Sequence, residues 1–147
     1  MQVAGFYLTK YGGKREKELK PDVKINNNVE IVGISKEKVE LIKEDNVLKI
    51  EFKYTINYEP KYAEVGFEGY LLILAEQDLI KELLKSWKKK KVPDKVRFPL
   101  FNLILTRCNI KAFHIEEQLA LPPHLPFPRV APQQDPQDQK SGADYTG

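Results

Sequence analysis

The chain has 147 residues, of which 41% are hydrophobic and 31% charged, with a net charge of +3. This length suits one ordinary core, and this composition is typical of soluble globular proteins. The sequence excludes proteins with a membrane-spanning helix and proteins held together by disulfides or cysteine-based zinc sites. A run of about 18 apolar residues, which would predict a membrane span, is lacking, and the single cysteine, Cys108, leaves no internal disulfide and no cysteine-based zinc site. The first residues carry no basic, then apolar, export signal, so we expect a cytoplasmic protein.

The charge and composition divide the chain into three parts. Residues 1–20 are predicted to be a flexible N-terminal segment, in which Gly12 and Gly13 form a mobile turn. The pattern of residues 3–8 fits either a strand or a loop. Residues 21–130 are predicted to be a single α+β domain that ends in a proline-rich arm. Residues 131–147, rich in Gln, Asp, Pro, Ser and Gly, are predicted to be disordered. Their net charge of −2 leaves +5 on residues 1–130.

The first half of the domain has the pattern of consecutive short strands. Residues 21–25 and 29–34 are β-prone runs on either side of Asn26, Asn27 and Asn28, a triplet that favours a turn. A further short strand is predicted at residues 39–42, followed by a polar turn. Strands joined by short polar turns predict an antiparallel meander of about four strands.

Residues 47–74 carry the clearest pattern in the sequence. Two runs alternate between apolar and polar residues and are joined at Glu59, Pro60 and Lys61. A period of two is typical of strands with one buried face, so the segment predicts a long β-hairpin. A hairpin alone is marginally stable in water, and we therefore expect the rest of the chain to cover it.

After Leu74 the period changes from that of strands to that of helices. One helix is predicted from the apolar stripe Leu79, Ile80, Leu83, Leu84 and Trp87, ending before Pro93. A second helix of about 20 residues is predicted to begin at Pro99 and to end before Pro122. Residues 121–130 contain four prolines and are predicted to form an extended arm that packs apolar side chains onto the domain.

Motifs for chemistry are weak. No Asp or Glu lies at a spacing that forms a standard metal site with both His114 and His124, and His114 with Glu117 fits an ordinary helical surface pair. Cys108 lies on the apolar stripe of the second helix, where a small buried side chain is expected. Gly12-Gly13-Lys14 lacks the flanking strand and the Ser or Thr of a phosphate loop. We therefore expect no enzymatic activity, no cofactor and no bound metal.

Aromatic residues of the hairpin form the first candidate site. They exceed what two strands need, and Tyr70, Leu72 and Leu74 make the polar side of the second strand apolar as well. A strand that is apolar on both sides is expected to have both faces covered. The helices cover one face, and the second face is covered within the monomer, by another copy of the sheet, or by an extended polypeptide. The predicted polypeptide-binding or oligomer surface contains Tyr54, Tyr58, Phe67, Tyr70 and Leu72.

A basic cluster forms the second candidate site. Eight basic residues lie between Lys81 and Arg97, against only Glu82 and Asp94. Such a cluster attracts phosphates regardless of sequence, although lysines also favour a solvated helix end. The predicted nucleic-acid surface, for RNA or the ribosome, contains Lys85, Lys88, Lys89, Lys90, Lys91, Lys95 and Arg97.

The order of these elements resembles the SecB family of export chaperones. The resemblance rests on Asp45-Asn-Val-Leu-Lys-Ile-Glu-Phe, on Ala63-Glu-Val-Gly-Phe-Glu-Gly-Tyr, on Arg97-Phe-Pro and on Leu121-Pro-Pro-His-Leu, and it covers roughly residues 23–130. It implies a four-stranded antiparallel sheet with helices on one face, dimers that pair into tetramers, and an aromatic groove that holds unfolded polypeptide without ATP.

The chain also departs from the SecB pattern. SecB proteins bind the SecA motor through an acidic surface, whereas residues 1–130 are basic, and residues 109–119 extend the long helix beyond its usual length. From these departures we expect a distant relative of the SecB family, with an archaeal source as our interpretation. Three hypotheses follow: a non-enzymatic SecB-like chaperone, an RNA- or ribosome-associated protein, and a purely structural oligomer.

Overall fold

The computed structural model describes residues 1–38, 40, 46–128 and 130. Four strands and two helices follow one another along the chain: β1 (Gln2–Arg15), β2 (Lys24–Lys36), β3 (Val47–Glu59), β4 (Ala63–Leu74), α1 (Gln77–Trp87) and α2 (Asp94–Gln118). The strands form one antiparallel sheet in the order β1-β4-β3-β2. The predicted α+β class, with a four-stranded antiparallel sheet and two C-terminal helices, is confirmed.

The predicted β3–β4 hairpin is formed, and it lies at the centre of the sheet. The chain reverses at the cis peptide bond between Glu59 and Pro60, and Lys61 adopts a left-handed conformation with φ of 53°. One face of the hairpin packs under the helices and is fully buried. This helix-covered face holds the core side chains Leu48, Ile50, Phe52, Tyr54, Ile56, Tyr58, Val65, Phe67, Leu71 and Ile73.

The fourth strand of the sheet is not the one that the sequence predicts. The expected mobile connection is instead β1, which pairs with β4 along its whole length from Gln2 to Arg15. The prediction that Gly12 and Gly13 form a flexible turn is wrong. A Cβ atom added to Gly13 would lie 2.6 Å from Ile115 and 2.7 Å from Leu119. The missing side chain therefore lets α2 approach the strand closely.

The asparagine triplet is part of a strand. Asn26, Asn27 and Asn28 lie inside β2 and pair with β3, so the predicted turn is wrong and residues 24–36 form one strand. The local preference of asparagine for turns is overridden because β3 offers a complete row of pairing partners. The short strand predicted at residues 39–42 lies outside the described residues except for Glu40, and the tail 131–147 lies outside them as well.

The helices form a layer on one face of the sheet. The stripe predicted for α1 is confirmed, since Ile80 and Leu83 are fully buried and Leu79, Leu84 and Trp87 pack against the core. The predicted start of α2 is wrong, because the helix begins at Asp94 and contains Pro99. Its first turn is held by N–H groups of residues 96 and 97, which donate to the Pro93 carbonyl at 3.0 and 2.9 Å.

The C-terminal end of α2 directs the chain into the arm, which we define as residues 121–128. Ala120 has a left-handed φ of 52°, and the Leu121 N–H donates to the Glu116 carbonyl at 2.8 Å, as at many helix ends. The Arg15 guanidinium donates to the carbonyls of Leu119 and Ala120, both at 2.9 Å. A cation from β1 thus neutralises the negative end of the helix.

Candidate polypeptide-binding surfaces

The sheet face opposite the helices, here called the open face, has an apolar end. Side chains alternate along a strand, so the register places Tyr7, Tyr70 and Leu72 on this face. The Tyr7 and Tyr70 rings stack with centroids 5.2 Å apart, and Tyr7 is 47% exposed. Val32 is half exposed and lines, with Tyr70, a shallow pocket of about 440 Å³. We call Tyr7, Val32, Tyr70, Leu72 and Leu74 the apolar end.

The other end of the open face is polar and has few large side chains. Gly12, Gly66 and Thr55 lie side by side in one row across three strands, and they line a trench of about 390 Å³. A Cβ atom added to either glycine would meet nothing within 4 Å. The charged residues along this trench are Lys10, Lys14, Lys53, Glu64 and Glu68.

The main chain of the two central strands is already paired on both sides. Strands β3 and β4 each lie between two neighbours, so their N–H and C=O groups bond within the sheet. A ligand on the open face would therefore contact side chains at this central part and not add a strand there. Contact through aromatic and aliphatic side chains tolerates many ligand sequences, because it does not depend on a fixed hydrogen-bond pattern.

The five residues of the predicted aromatic surface separate into two groups. Tyr70 and Leu72 lie half buried on the open face. Tyr54, Tyr58 and Phe67 point the other way and are at most 1% exposed beneath the helix layer. The prediction that all five residues share one surface is therefore wrong. Adjacent positions in a strand point to opposite faces, and Tyr54, Tyr58 and Phe67 lie on the face that forms the core.

The hydroxyl groups of Tyr54 and Tyr58 belong to a polar cluster that the sequence pattern does not predict. Tyr54 donates to Asn109 Oδ1 at 2.8 Å, and Tyr58 donates to the Pro122 carbonyl at 2.5 Å. Burial raises the pKa of Tyr54 to about 12 and raises that of Tyr58 as well, with the Glu116 carboxylate adding to the second shift. Both phenols are consequently protonated donors at neutral pH.

Glu116 and His124 form the centre of this cluster. The Glu116 side chain is 1% exposed and that of His124 is fully buried. The Glu116 carboxylate accepts from the His124 main-chain N–H at 3.0 Å and contacts the ring nitrogen Nδ1. The other ring nitrogen, Nε2, lies 2.9 Å from Asn109 Oδ1 and 3.3 Å from the Tyr54 hydroxyl. The signal in the sequence is one acidic residue on the otherwise apolar α2 stripe of Leu100, Ile104, Cys108 and Ala112.

Cys108 is buried in the same stripe, as expected. Burial raises the pKa of its thiol to about 12, so the reactive thiolate is not populated at neutral pH. In the part of the chain that the structure describes, no group of three His, Cys, Asp or Glu side chains is placed to hold a metal ion. Neither α1 nor α2 is both long and apolar enough to cross a membrane.

Only part of the predicted basic cluster is without an acidic partner among the described ion pairs. Lys85, Lys88, Lys89, Lys90 and Lys91 are exposed at the end of α1 and in the turn after it. Two other members are paired with acids: Lys95 lies 3.0 Å from Glu82, and Arg97 lies 2.6 Å from Asp94. The Lys90 ammonium lies over the Trp87 ring, 4.7 Å from its centre. The structure thus brings the four consecutive lysines together on one exposed turn.

The fold is SecB-like. One solved structure with this likeness is a SecB-like chaperone of Mycobacterium tuberculosis, in complex with a ChAD peptide from the HigA1 antitoxin. The TM-score is 0.55 and the sequence identity 16%, and the match covers 90% of this chain and 92% of that chain. No protein-family model and no curated protein sequence matches the chain. This likeness establishes the fold alone.

Proposed function

We propose that this chain is a non-enzymatic SecB-like chaperone, which holds extended apolar polypeptide on the apolar end of its open face. The observation that carries the proposal is the exposed aromatic and aliphatic surface around the stacked Tyr7 and Tyr70 rings. Support also comes from the SecB-like neighbour, which was solved with a bound peptide. The proposed site is thus the whole apolar end, including Leu74, and it excludes the buried Tyr54, Tyr58 and Phe67.

The chemistry of this surface suits unfolded chains. Tyr7 and Tyr70 offer large rigid contact areas at low entropic cost, and Leu72 and Leu74 extend them along β4. The Lys49 ammonium lies 4.7 Å from the centre of the Tyr70 ring, so a charge borders the patch. Apolar side chains of an unfolded segment would be buried here, while charged rows on the rest of the face would keep its flanks hydrated.

The test is suppression of client aggregation, with reduced α-lactalbumin as the unfolded probe and light scattering as the readout. We expect the wild-type chain to slow aggregation and the Tyr70→Asp variant to lose most of this effect. Asn57→Asp is the matched control, because it places the same charge at the polar end of the same face. Aggregation that proceeds unchanged in the presence of wild-type protein would rule the proposal out.

A second copy of the chain is the alternative occupant of this face. Sedimentation velocity separates the two possibilities. If Tyr70→Asp dissociates an oligomer without weakening client protection, the open face is an interface between copies. If Tyr70→Asp abolishes protection and leaves the sedimentation coefficient unchanged, the open face is the client site.

An RNA- or ribosome-associated role is the second candidate, favoured by the exposed turn that carries Lys88, Lys89, Lys90 and Lys91. Binding of phosphates by these lysines would weaken steeply with salt. We expect that replacement of all four lysines by Gln makes the slope of log binding constant against log salt concentration less steep. The decrease in steepness should be about 1 for each lysine that binds a phosphate in the wild type. Cosedimentation with ribosomes that does not depend on salt, or on these lysines, would contradict this role.

A further inference from the structure

The arm occupies a track between α2 and β3 that is built largely from side chains. Leu121 is 6% exposed, the His124 side chain is fully buried, and the Phe127 ring lies 4.7 Å from the Phe113 ring. The rest of the arm is open to solvent, since Pro122, Pro123 and Leu125 are exposed and Phe127 is itself 54% exposed. The arm track is defined by the residues that the arm contacts: Tyr54, Tyr58, Asn109, Phe113 and Glu116.

The polar atoms of the track form hydrogen bonds with main-chain groups, which every polypeptide has. The Tyr58 hydroxyl binds a main-chain carbonyl, that of Pro122, and the Glu116 carboxylate binds a main-chain N–H, that of His124. The single polar side-chain requirement is at the centre, where the His124 ring lies between Glu116 and Asn109 and stacks on Phe113 with centroids 5.1 Å apart. The track therefore recognises an extended backbone and one imidazole.

Little main-chain bonding holds the arm in place. Residues 121–128 belong to no helix or strand, and four of them are prolines, which have no N–H group to contribute. Exchange of the arm for another extended segment would thus break few main-chain hydrogen bonds, and the new backbone can remake those at Pro122 and His124. The Glu116 carboxylate would be costly to bury without a partner, so the replacement must bring a donor to it.

From this arrangement we infer that the arm track is a second polypeptide-binding site and that the arm is its resident occupant. The partner is an extended, proline-containing apolar segment with a histidine, which displaces the arm from Tyr54, Tyr58 and Glu116. This inference deepens the proposed chaperone function and rests on it, but it concerns the helix-covered side and not the open face. It gives the buried Tyr54 and Tyr58 a role in this second site, because the arm shields them until a client replaces it.

The arm is tethered to the chain, so an added peptide must compete with it for the arm track. A segment held by a short tether has an effective concentration in the millimolar range. Free peptide should therefore bind the wild-type chain weakly, and should bind a variant with a weakened arm much more strongly.

The test uses a fluorescein-labelled peptide with the sequence of residues 121–128 and the full chain, with fluorescence anisotropy as the readout. We expect the His124→Ala variant to bind this peptide at least tenfold more tightly than the wild type, because the peptide supplies the imidazole that Glu116 has lost. The same peptide with Ala in place of its histidine should lose this preference. Leu125→Ala, at an exposed arm position, is the matched control and should bind like the wild type.

A second variant covers the case in which His124→Ala does not fold. Tyr58→Phe removes the hydrogen bond to Pro122 and keeps the ring, and we expect a several-fold tighter peptide affinity. In either variant, bound peptide should speed hydrogen exchange at the Leu121 amide of the displaced arm. Equal peptide affinity in wild type and the folded variants, with unchanged exchange at Leu121, would overturn the inference.

Failure of this inference can be told apart from failure of the proposed function. If the peptide binds but responds to Tyr70→Asp and not to His124→Ala or Tyr58→Phe, the open face is the only client site of the two. If reduced α-lactalbumin aggregates unchanged in the presence of wild-type protein, the proposed function itself is excluded.

Discussion

The two faces of the β3–β4 hairpin share one backbone and differ in what covers them. On the helix-covered face Phe67 stacks with Tyr54 at 5.8 Å between centroids and is 1% exposed. On the open face Tyr70, three positions further along β4, stacks with Tyr7 and is only half buried. Aromatic content alone does not distinguish a core from a binding surface; the parity of each position in the strand does.

The largest expected difference between the faces is in stability. Phe67→Ala should lower the free energy of unfolding by about 3–5 kcal/mol, because it empties a packed core position. Tyr70→Ala should cost about 1 kcal/mol, which is the scale of one aromatic pair interaction. Urea denaturation of both variants measures the difference, and equal destabilisation would show that the open face is as well packed as the core.

Two neighbouring glycines of β1 sharpen the same contrast. Gly13→Ala places a methyl group against Ile115 and Leu119 of α2, and such overpacking costs about 1–3 kcal/mol. Gly12→Ala points a methyl group into the open trench and should change stability by no more than about 0.5 kcal/mol. Thermal unfolding of the pair gives the comparison, which fails if Gly12→Ala is the more damaging change.

The pH dependence of stability reports on the covered face. Burial raises the pKa of Tyr54 from 10.0 to about 12. Because the folded pKa is above the unfolded value, this stabilisation is present below about pH 10 and is lost as the pH rises towards 12. Tyr54→Phe should therefore show a shallower loss of unfolding free energy between pH 10 and 12 than the wild type. Identical slopes in chemical denaturation over this range would contradict the burial of the phenol.

A smaller effect than those at Phe67 and Gly13 is expected at the exit from α2 into the arm. Ala120 has a left-handed φ of 52°, which glycine adopts without a steric penalty. Ala120→Gly should therefore stabilise the chain by up to about 1 kcal/mol. Ala112→Gly, in the buried interior of the same helix, is the control and should destabilise it. A loss of stability in Ala120→Gly would mean that the arm leaves the helix differently.

The sequence predicts the centre of the sheet better than its edges. Alternation over residues 47–74 is long enough to predict the hairpin, its turn and the residues that share each face. Gly12 and Gly13 suggest a turn in the sequence, but glycine has two opposite uses, in flexible turns and under closely packed neighbours. Only the position of α2 over Gly13 decides between them. Asn27, inside β2, shows the same dependence on a strand partner.

The candidate sites are predictable in part. The sequence identifies Tyr70, Leu72 and Leu74 as a second apolar side of β4, and the open face has these residues. It does not predict the Glu116–His124 contact, which joins a helix and an arm whose relative position the sequence pattern does not give. One acidic residue on an apolar helix stripe is the only signal, and such a residue can equally be a solvated position.

Position-specific crosslinking tests the central claim most directly. A photoreactive benzoylphenylalanine is placed at Tyr70 on the open face or at Phe98, an exposed aromatic position on α2, and each protein is irradiated with reduced α-lactalbumin. If the open face is the client site, position 70 gives a strong client crosslink and position 98 a weak one. A crosslink from position 98 without one from position 70 would contradict the proposed site.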